Sequence, residues 1–341
     1  MPIRWLSRVL RRQQKFNEQA TWEDVIAAYR LFLKRVPDRE GLEHYRQLVA
    51  HGLSLDRLIS SFVNSGEYRE LIAGESKITP VDLGGYIVCV RRAETDFGRG
   101  IILTGEYEPH VRRAISSLLS KGQTFVDIGA NVGCISFLAA QLVGPSGTVI
   151  SVEPNPDNLH LLYAGIIAND LTNVRVLPYA ASDTSTVFAL TGGTSNTYLV
   201  SPQSHEEITH YAQSIVLDDE LAQLTEIDFV KMDIEGHEPL ALQGFSTLIR
   251  KHQPILLTEF NPYCLTNVQH IPPMDYLEQV LEYYSHLHVI TSFGDSMTFT
   301  NADELMKYWS KRNAEVAAHR ILPDGMLHFD IIASKRPLTL H

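Results

Sequence analysis

The sequence predicts an α/β protein built on a mostly parallel sheet covered on both faces, with a small all-helical segment in front of it. Three observations predict this. From residue 124 onward, short apolar strands alternate with helices, and strands that are apolar on both faces belong inside a layered parallel sheet. Residues 21–72 carry helical periodicity. A loop from Gly129 to Gly133 joins the first strand of the alternating part to its helix, which is where open α/β sheets take ligands.

In chain order, residues 1–20 come first. Arg4, Arg8, Arg11, Arg12 and Lys15 interleave with Ile3, Leu6, Val9 and Leu10 at helical spacing. Two readings stay open for 1–16: weak contact with an anionic membrane surface, or a solvated helix packed on the next domain. No apolar h-region follows, so a signal peptide is not expected. Trp22, Val25, Tyr29, Phe32 and Val36 then form one apolar stripe. Pro37 breaks it and Asp38 caps a second helix carrying Leu42, Tyr45 and Val49. Ser54 caps a third, with Leu55, Leu58, Ile59 and Phe62, and a short helix is expected over 67–72. Residues 73–80 read as a linker. Strands over 86–90 and 99–103 read as a hairpin, followed by a helix over 109–119.

The alternating core spans 121–337 of a domain that starts at 81. Strands are expected at 124–127, 148–152, 174–177, 228–232, 254–258, 288–291 and 328–333. Helices are expected at 134–142, 156–168, 239–250 and 274–284.

Composition narrows the function. The chain has 341 residues, 44% of them hydrophobic and 20% charged, which are values of a globular protein and not of a disordered one. A net charge of −11 supplies no basic surface, so nucleic acid is not an expected partner. Cys89, Cys134 and Cys264 are too far apart for a CxxC site or a disulfide framework. They point to a reducing, cytoplasmic setting without structural zinc.

The chemistry concentrates at strand ends. In Val126-Asp127-Ile128-Gly129-Ala130-Asn131-Val132-Gly133 the glycines permit close approach of a ligand. The spacing is not GxGxxG, and Asp127 would repel a pyrophosphate. A nucleoside carrying a sulfonium and an ammonium, S-adenosylmethionine, suits that charge better than NAD. Glu153 closes the next strand and can accept from ribose hydroxyls. Asp183 follows the third strand and can accept from an adenine amino group.

Together the glycine loop, Glu153-Pro154-Asn155, Leu217-Asp218 and Lys231-Met232-Asp233-Ile234-Glu235-Gly236-His237-Glu238 resemble the FkbM family of methyltransferases. Gly105-Glu106-Tyr107-Glu108-Pro109-His110 and Asn196 are similar to the same family. The resemblance covers about residues 105–259. It implies the class I, Rossmann-like fold, a seven-stranded sheet with the last strand antiparallel. It also implies S-adenosylmethionine as donor and a hydroxyl oxygen as acceptor, on glycans or related metabolites. On that basis Glu106, Asp127, Gly129, Asn131, Gly133, Glu153, Asn155, Asp183 and Asp233 are the expected cofactor-binding residues. Residues 29–68, within the helical stretch 21–72, resemble the small helical module DUF4214 of glycan-modifying enzymes, which implies a docking or substrate-presenting role; an extra helical cap on the enzyme is the other reading.

An alcohol acceptor must lose a proton as it attacks, and a placed base contributes about 10²–10⁴-fold. Asp233, Glu235, His237 and Glu259 stand at candidate base positions after the fourth and fifth strands; of these Asp233, His237 and Glu259 are the catalytic candidates, with His237 as the base because of its pKa range. Asp233, Glu259 and His237 are also an oxygen/nitrogen set that a divalent ion could use, although no spacing is diagnostic and a metal is not expected. Tyr107, Asn196, Thr197, Tyr198 and Tyr263 are candidates for the acceptor wall. A cofactor-binding protein without catalysis and an NAD-dependent oxidoreductase remain the alternatives.

Overall fold

The computed structural model describes residues 19–33, 35–68, 78–91, 97–193, 196–204, 206–323 and 325–338. The basic stretch 1–16 and most of the expected 67–72 helix and 73–80 linker lie outside these. The chain divides into two compact units, Met1–Ile78 and Thr79–His341.

The first unit contains helices Trp22–Leu33, Arg39–Ala50 and Leu55–Val63. Asp38 and Ser54 cap the second and third by accepting from Gly41 N and Arg57 N. Tyr29, Tyr45, Leu58 and Phe62 close its core, with the Tyr29 and Phe62 rings edge-on at 4.9 Å. The first helix stops earlier than its stripe implied: it ends at Leu33 and Val36 is 75% exposed. Arg35 instead turns toward Asp38 and Glu67.

The second unit opens with β1 (Ile78–Asp82) paired to β2 (Ile87–Arg91). This corrects two expectations. Residues 78–80 are strand and not linker, and the hairpin partner of β2 precedes it. Residues 99–103 lie in a helix, Phe97–Thr104, because Gly98 and Ile101 bury one face at helical spacing.

The main sheet then forms from β3 (Thr124–Ile128), β4 (Thr148–Val152) and β5 (Val174–Leu177). A smaller sheet holds β6 (Ala180–Ala181), β7 (Val187–Gly192), β8 (Thr197–Val200) and β9 (His210–Ile215). The main sheet resumes with β10 (Phe229–Met232), β11 (Ile255–Phe260), β12 (His286–Ile290), β13 (Ser296–Phe299) and β14 (Phe329–Ser334). Its order is β13-β12-β14-β11-β10-β3-β4-β5. β3, β4, β5, β10 and β11 pair in parallel. β14 runs antiparallel between β11 and β12. This is the class I methyltransferase arrangement, α/β with the last strand reversed. It carries an eighth strand, because β13 adds antiparallel to the β12 edge. β10 and β14 are buried at every position, as strands covered on both faces must be.

The expected helix over 239–250 is two, Glu238–Gln243 and Ser246–His252. The break falls at Gly244, which abuts the Ser182 backbone so closely that a Cβ would stand 2.0 Å from its carbonyl oxygen. No sequence pattern announces the smaller sheet, because its strands are only two to six residues long and β9 reads His-Tyr-Ala-Gln-Ser-Ile. Among the described residues its core is Ala180, Leu190, Leu199 and Ala212 with Phe188 against them. Among the described residues no helix is long and apolar enough to cross a membrane.

Phe229 and Phe125 stack across β10 and β3 at 5.3 Å, both essentially unexposed. Replacing Phe229 by Ala is expected to lower the unfolding free energy by about 3–5 kcal/mol, read from the urea midpoint.

Candidate active site

The carboxyl ends of β3, β4, β10 and β11 open onto a cavity of about 400 Å³. At the ends of β3, β4 and β5 one half of it is lined by Gly129, Asn131, Glu153, Pro154, Tyr179 and Ala181. The other half is lined by Tyr107, Glu108, Asp233, Glu235, Glu259 and Tyr263, with Asn196, Thr197, Tyr198 and Asn261 on the wall. No Lys or Arg is among the described lining residues.

The glycine loop is shaped by the strands it touches. Gly129 sits at φ 86, and a Cβ there would lie 1.9 Å from the Asp233 carbonyl oxygen. Gly133 at φ 94 starts the helix Cys134–Val143 against Phe137 and Leu162. Both glycines are therefore obligatory for chain crossing at this point, whatever the ligand. Glu153 fastens the loop: its carboxylate accepts from Asn131 N and Asn155 N, each at 2.8 Å. Burial pushes its pKa up to about 7 against those hydrogen bonds.

Asp127 does not face the cavity. It is fully buried beneath the loop, accepting from Ser136 Oγ at 2.6 Å and lying opposite Lys231 in the β3–β10 register. Burial raises its pKa while Lys231 pulls it down. Its negative charge therefore balances the lysine from outside the cavity lining. Asn155 caps the helix Pro156–Ala168. Asp183 hydrogen-bonds Ser182 and Thr184, and Glu106 is exposed. None of these lines the cavity, and neither does Gly133. Tyr179 and Ala181 stand where an adenine acceptor was expected from Asp183.

His237 is also elsewhere. It is 1% exposed, with Nε2 3.0 Å from Ser182 Oγ, Nδ1 3.3 Å from Gln269 and Phe188 edge-on to its ring. Burial depresses its pKa to about 4. It braces the smaller sheet against the loop after β10 and cannot reach an acceptor in the cavity.

Asp233 and Glu259 both reach it. Lys231, 2% exposed, donates to Asp233 Oδ2 at 2.9 Å. Burial opposes the lysine's charge, but Asp233, Asp127 and Glu108 outweigh it and raise its pKa. Glu235, at φ 56, lines the cavity and accepts from Cys264 Sγ at 3.6 Å; burial, then Asp233, push its pKa up to about 7. Burial and the neighbouring carboxylates of Asp233, Glu235 and Glu238 hold Glu259 well above the usual range. Oxygens of Asp233, Glu238 and Glu259 lie within 4.8 Å of one another, a spacing a hard divalent ion could span. That set replaces His237 with Glu238.

Tyr107, Asn196, Thr197, Tyr198 and Tyr263 all line the acceptor half. Sequence reasoning missed Glu108, Tyr179, Asn261 and His328, and it placed Glu235 among the candidate bases without choosing it. Glu108 and Glu235 stand inside quoted motifs, but only the backbone shows which acid of each motif turns inward. Asn261 and His328 come together from β11 and the segment before β14, with no local signal.

A family model, the methyltransferase FkbM domain, matches residues 127–299, just over half of the chain. An arsenite methyltransferase from Halobacterium salinarum is 39% identical over 57 residues, 17% of this chain and 15% of that protein. The structure of an FkbM methyltransferase from Methylobacillus flagellatus aligns with TM-score 0.38 and 16% identity, covering 80% of this chain and 58% of that one. A Thermus thermophilus 16S rRNA methyltransferase in complex with AdoMet and guanosine aligns with TM-score 0.39 and 13% identity, over 76% and 50%.

Glu238 is 1% exposed, accepts from Ile234 N at 2.7 Å, and burial pushes its pKa up to about 8. A raised acid favours the folded state fully below its unfolded pKa, and that contribution is lost as pH climbs through the folded pKa. Melting temperature is therefore expected to fall between pH 4.5 and about 8, and Glu238→Gln is expected to flatten the fall, as differential scanning fluorimetry across that range would register.

Proposed function

The chain belongs to the FkbM methyltransferase family, and from that premise we propose that it moves a methyl group from S-adenosylmethionine to a hydroxyl oxygen of a sugar or glycan. The observation that carries the cofactor is the cavity lining: carboxylates without a lysine or arginine among the described lining residues. Such a wall disfavours the phosphates of NAD and suits a nucleoside whose charged groups are a sulfonium and an ammonium. Glu153 and Tyr179 are the residues that would hold ribose and adenine. Gly129 allows the backbone approach. The polar and aromatic wall of Asn196, Asn261, Tyr107, Tyr198 and Tyr263 supports a polyhydroxylated acceptor.

When bound, S-adenosylmethionine supplies an electrophilic methyl group and a neutral leaving thioether. The protein's task is then alignment, worth up to about 7–11 kcal/mol, and removal of one proton. We assign the base to Glu235 in place of His237. It lines the acceptor half, and a carboxylate titrating at about 7 is matched to neutral conditions. Asp233, fixed through Oδ2 by Lys231, orients the acceptor beside it. The helical unit is proposed to present the glycan.

Calorimetry is expected to show S-adenosylhomocysteine binding and no binding of NAD; the reverse result would refute the cofactor. On the true acceptor, kcat of the wild type is expected to rise with pH through about 7, since the base must lose its own proton first. Glu235→Gln should lower kcat by about 10²–10⁴-fold and remove that limb, with cofactor binding retained.

A further inference from the structure

We propose that Glu108 is the residue that holds the ammonium of the cofactor's amino-acid end. The inference rests on the cofactor reading above and names a contact which that reading leaves open.

Among the described residues, positive φ at non-glycine positions falls into two groups. Asp170, Gln253, His270 and Arg320 follow the last turn of a helix, where left-handed closure is ordinary. Glu108, Asn131 and Glu235 do not, and all of them line the cavity. Uphill backbone that gathers at one cleft is a mark of function. Glu108 stands out further. At φ 40 and ψ 61 it precedes the helix Pro109–Leu118, yet its side chain makes no capping bond to that helix. The conformation instead turns the carboxyl into the cavity, where Oε2 is buried and has no hydrogen-bond partner.

Its place along the cavity identifies what it would meet. The sheet order β5, β4, β3, β10 puts Tyr179 and Glu153 at one end of the line of strand termini. Glu108 is at the other, within electrostatic reach of Lys231 and Asp233 on β10 and of Cys134 at the start of the helix after the glycine loop. A ligand lying across the strand ends with its nucleoside at Glu153 brings its amino-acid end to Glu108. Glu108 suits the ammonium of that end. Asp233 is the rival partner, but its Oδ2 is already taken by Lys231.

The test compares two probes by calorimetry on wild type and Glu108→Gln. S-adenosylhomocysteine carries the ammonium. 5′-Methylthioadenosine keeps the nucleoside and thioether but lacks the amino-acid end. Glu108→Gln is expected to weaken S-adenosylhomocysteine about ten- to a hundredfold and to leave 5′-methylthioadenosine unchanged. Glu108→Asp, which keeps the charge on a shorter arm, should fall between, and it carries the test if the Gln variant does not fold. Unchanged affinity for S-adenosylhomocysteine, or equal losses for both probes in a folded variant, would overturn the role of Glu108 while the cofactor reading stands. If the wild type binds neither probe, both fall.

Discussion

One buried ammonium organises the catalytic end of this sheet. Lys231 sits on β10 between Asp127 on β3 and Asp233 at its own strand end, with 2% of its surface exposed. A lysine so deep is tolerated only when paired. Here the pairing reaches both ways. Asp127, beneath the loop, offsets the charge from below; Asp233 takes the hydrogen bond and is thereby fixed at the cavity floor. The acid that the glycine-loop motif makes most conspicuous is thus part of the foundation, and the acid two residues beyond the lysine is presented to ligands.

Around that centre the carboxylates outnumber the cations. Glu108, Glu153, Glu235 and Glu259 line the cavity, and burial raises the pKa of each. Such a cleft resists anionic guests and holds protons near neutrality, so a group titrating there can exchange one with an acceptor hydroxyl. The backbone is strained where these acids are aimed, at Glu108 and Glu235, and relaxed where they serve structure, at Glu153. Strain of that kind persists only because the surrounding sheet over-determines it: β3 and β10 are almost wholly buried.

The parts of the fold that the sequence made legible are those whose signal is local and periodic. Doubly apolar runs became β3, β4, β5, β10, β11 and β14, and the caps Asp38 and Ser54 bind where their side chains indicate. The four strands between Ala180 and Ile215 were illegible, since strands of two to six residues owe their pairing to neighbours and not to pattern. Residues 99–103 misled for a related reason: a short apolar run fits a strand and a helix equally, and only packing chooses.

For the site, the motifs alone determined which strand ends carry chemistry and which charge sign prevails, because residue types at loop positions are read without knowing any distance. Tertiary structure decided which of those residues face the cavity. His237 and Asp183 are a few residues from lining side chains, yet they point into the smaller sheet's support. Glu108 and not Glu106 turns inward, although residues two apart on an extended chain share a face; the left-handed turn at Glu108, φ 40, breaks that alternation. Direction depends on contacts between segments far apart in the chain, and those exist only once the sheet has formed.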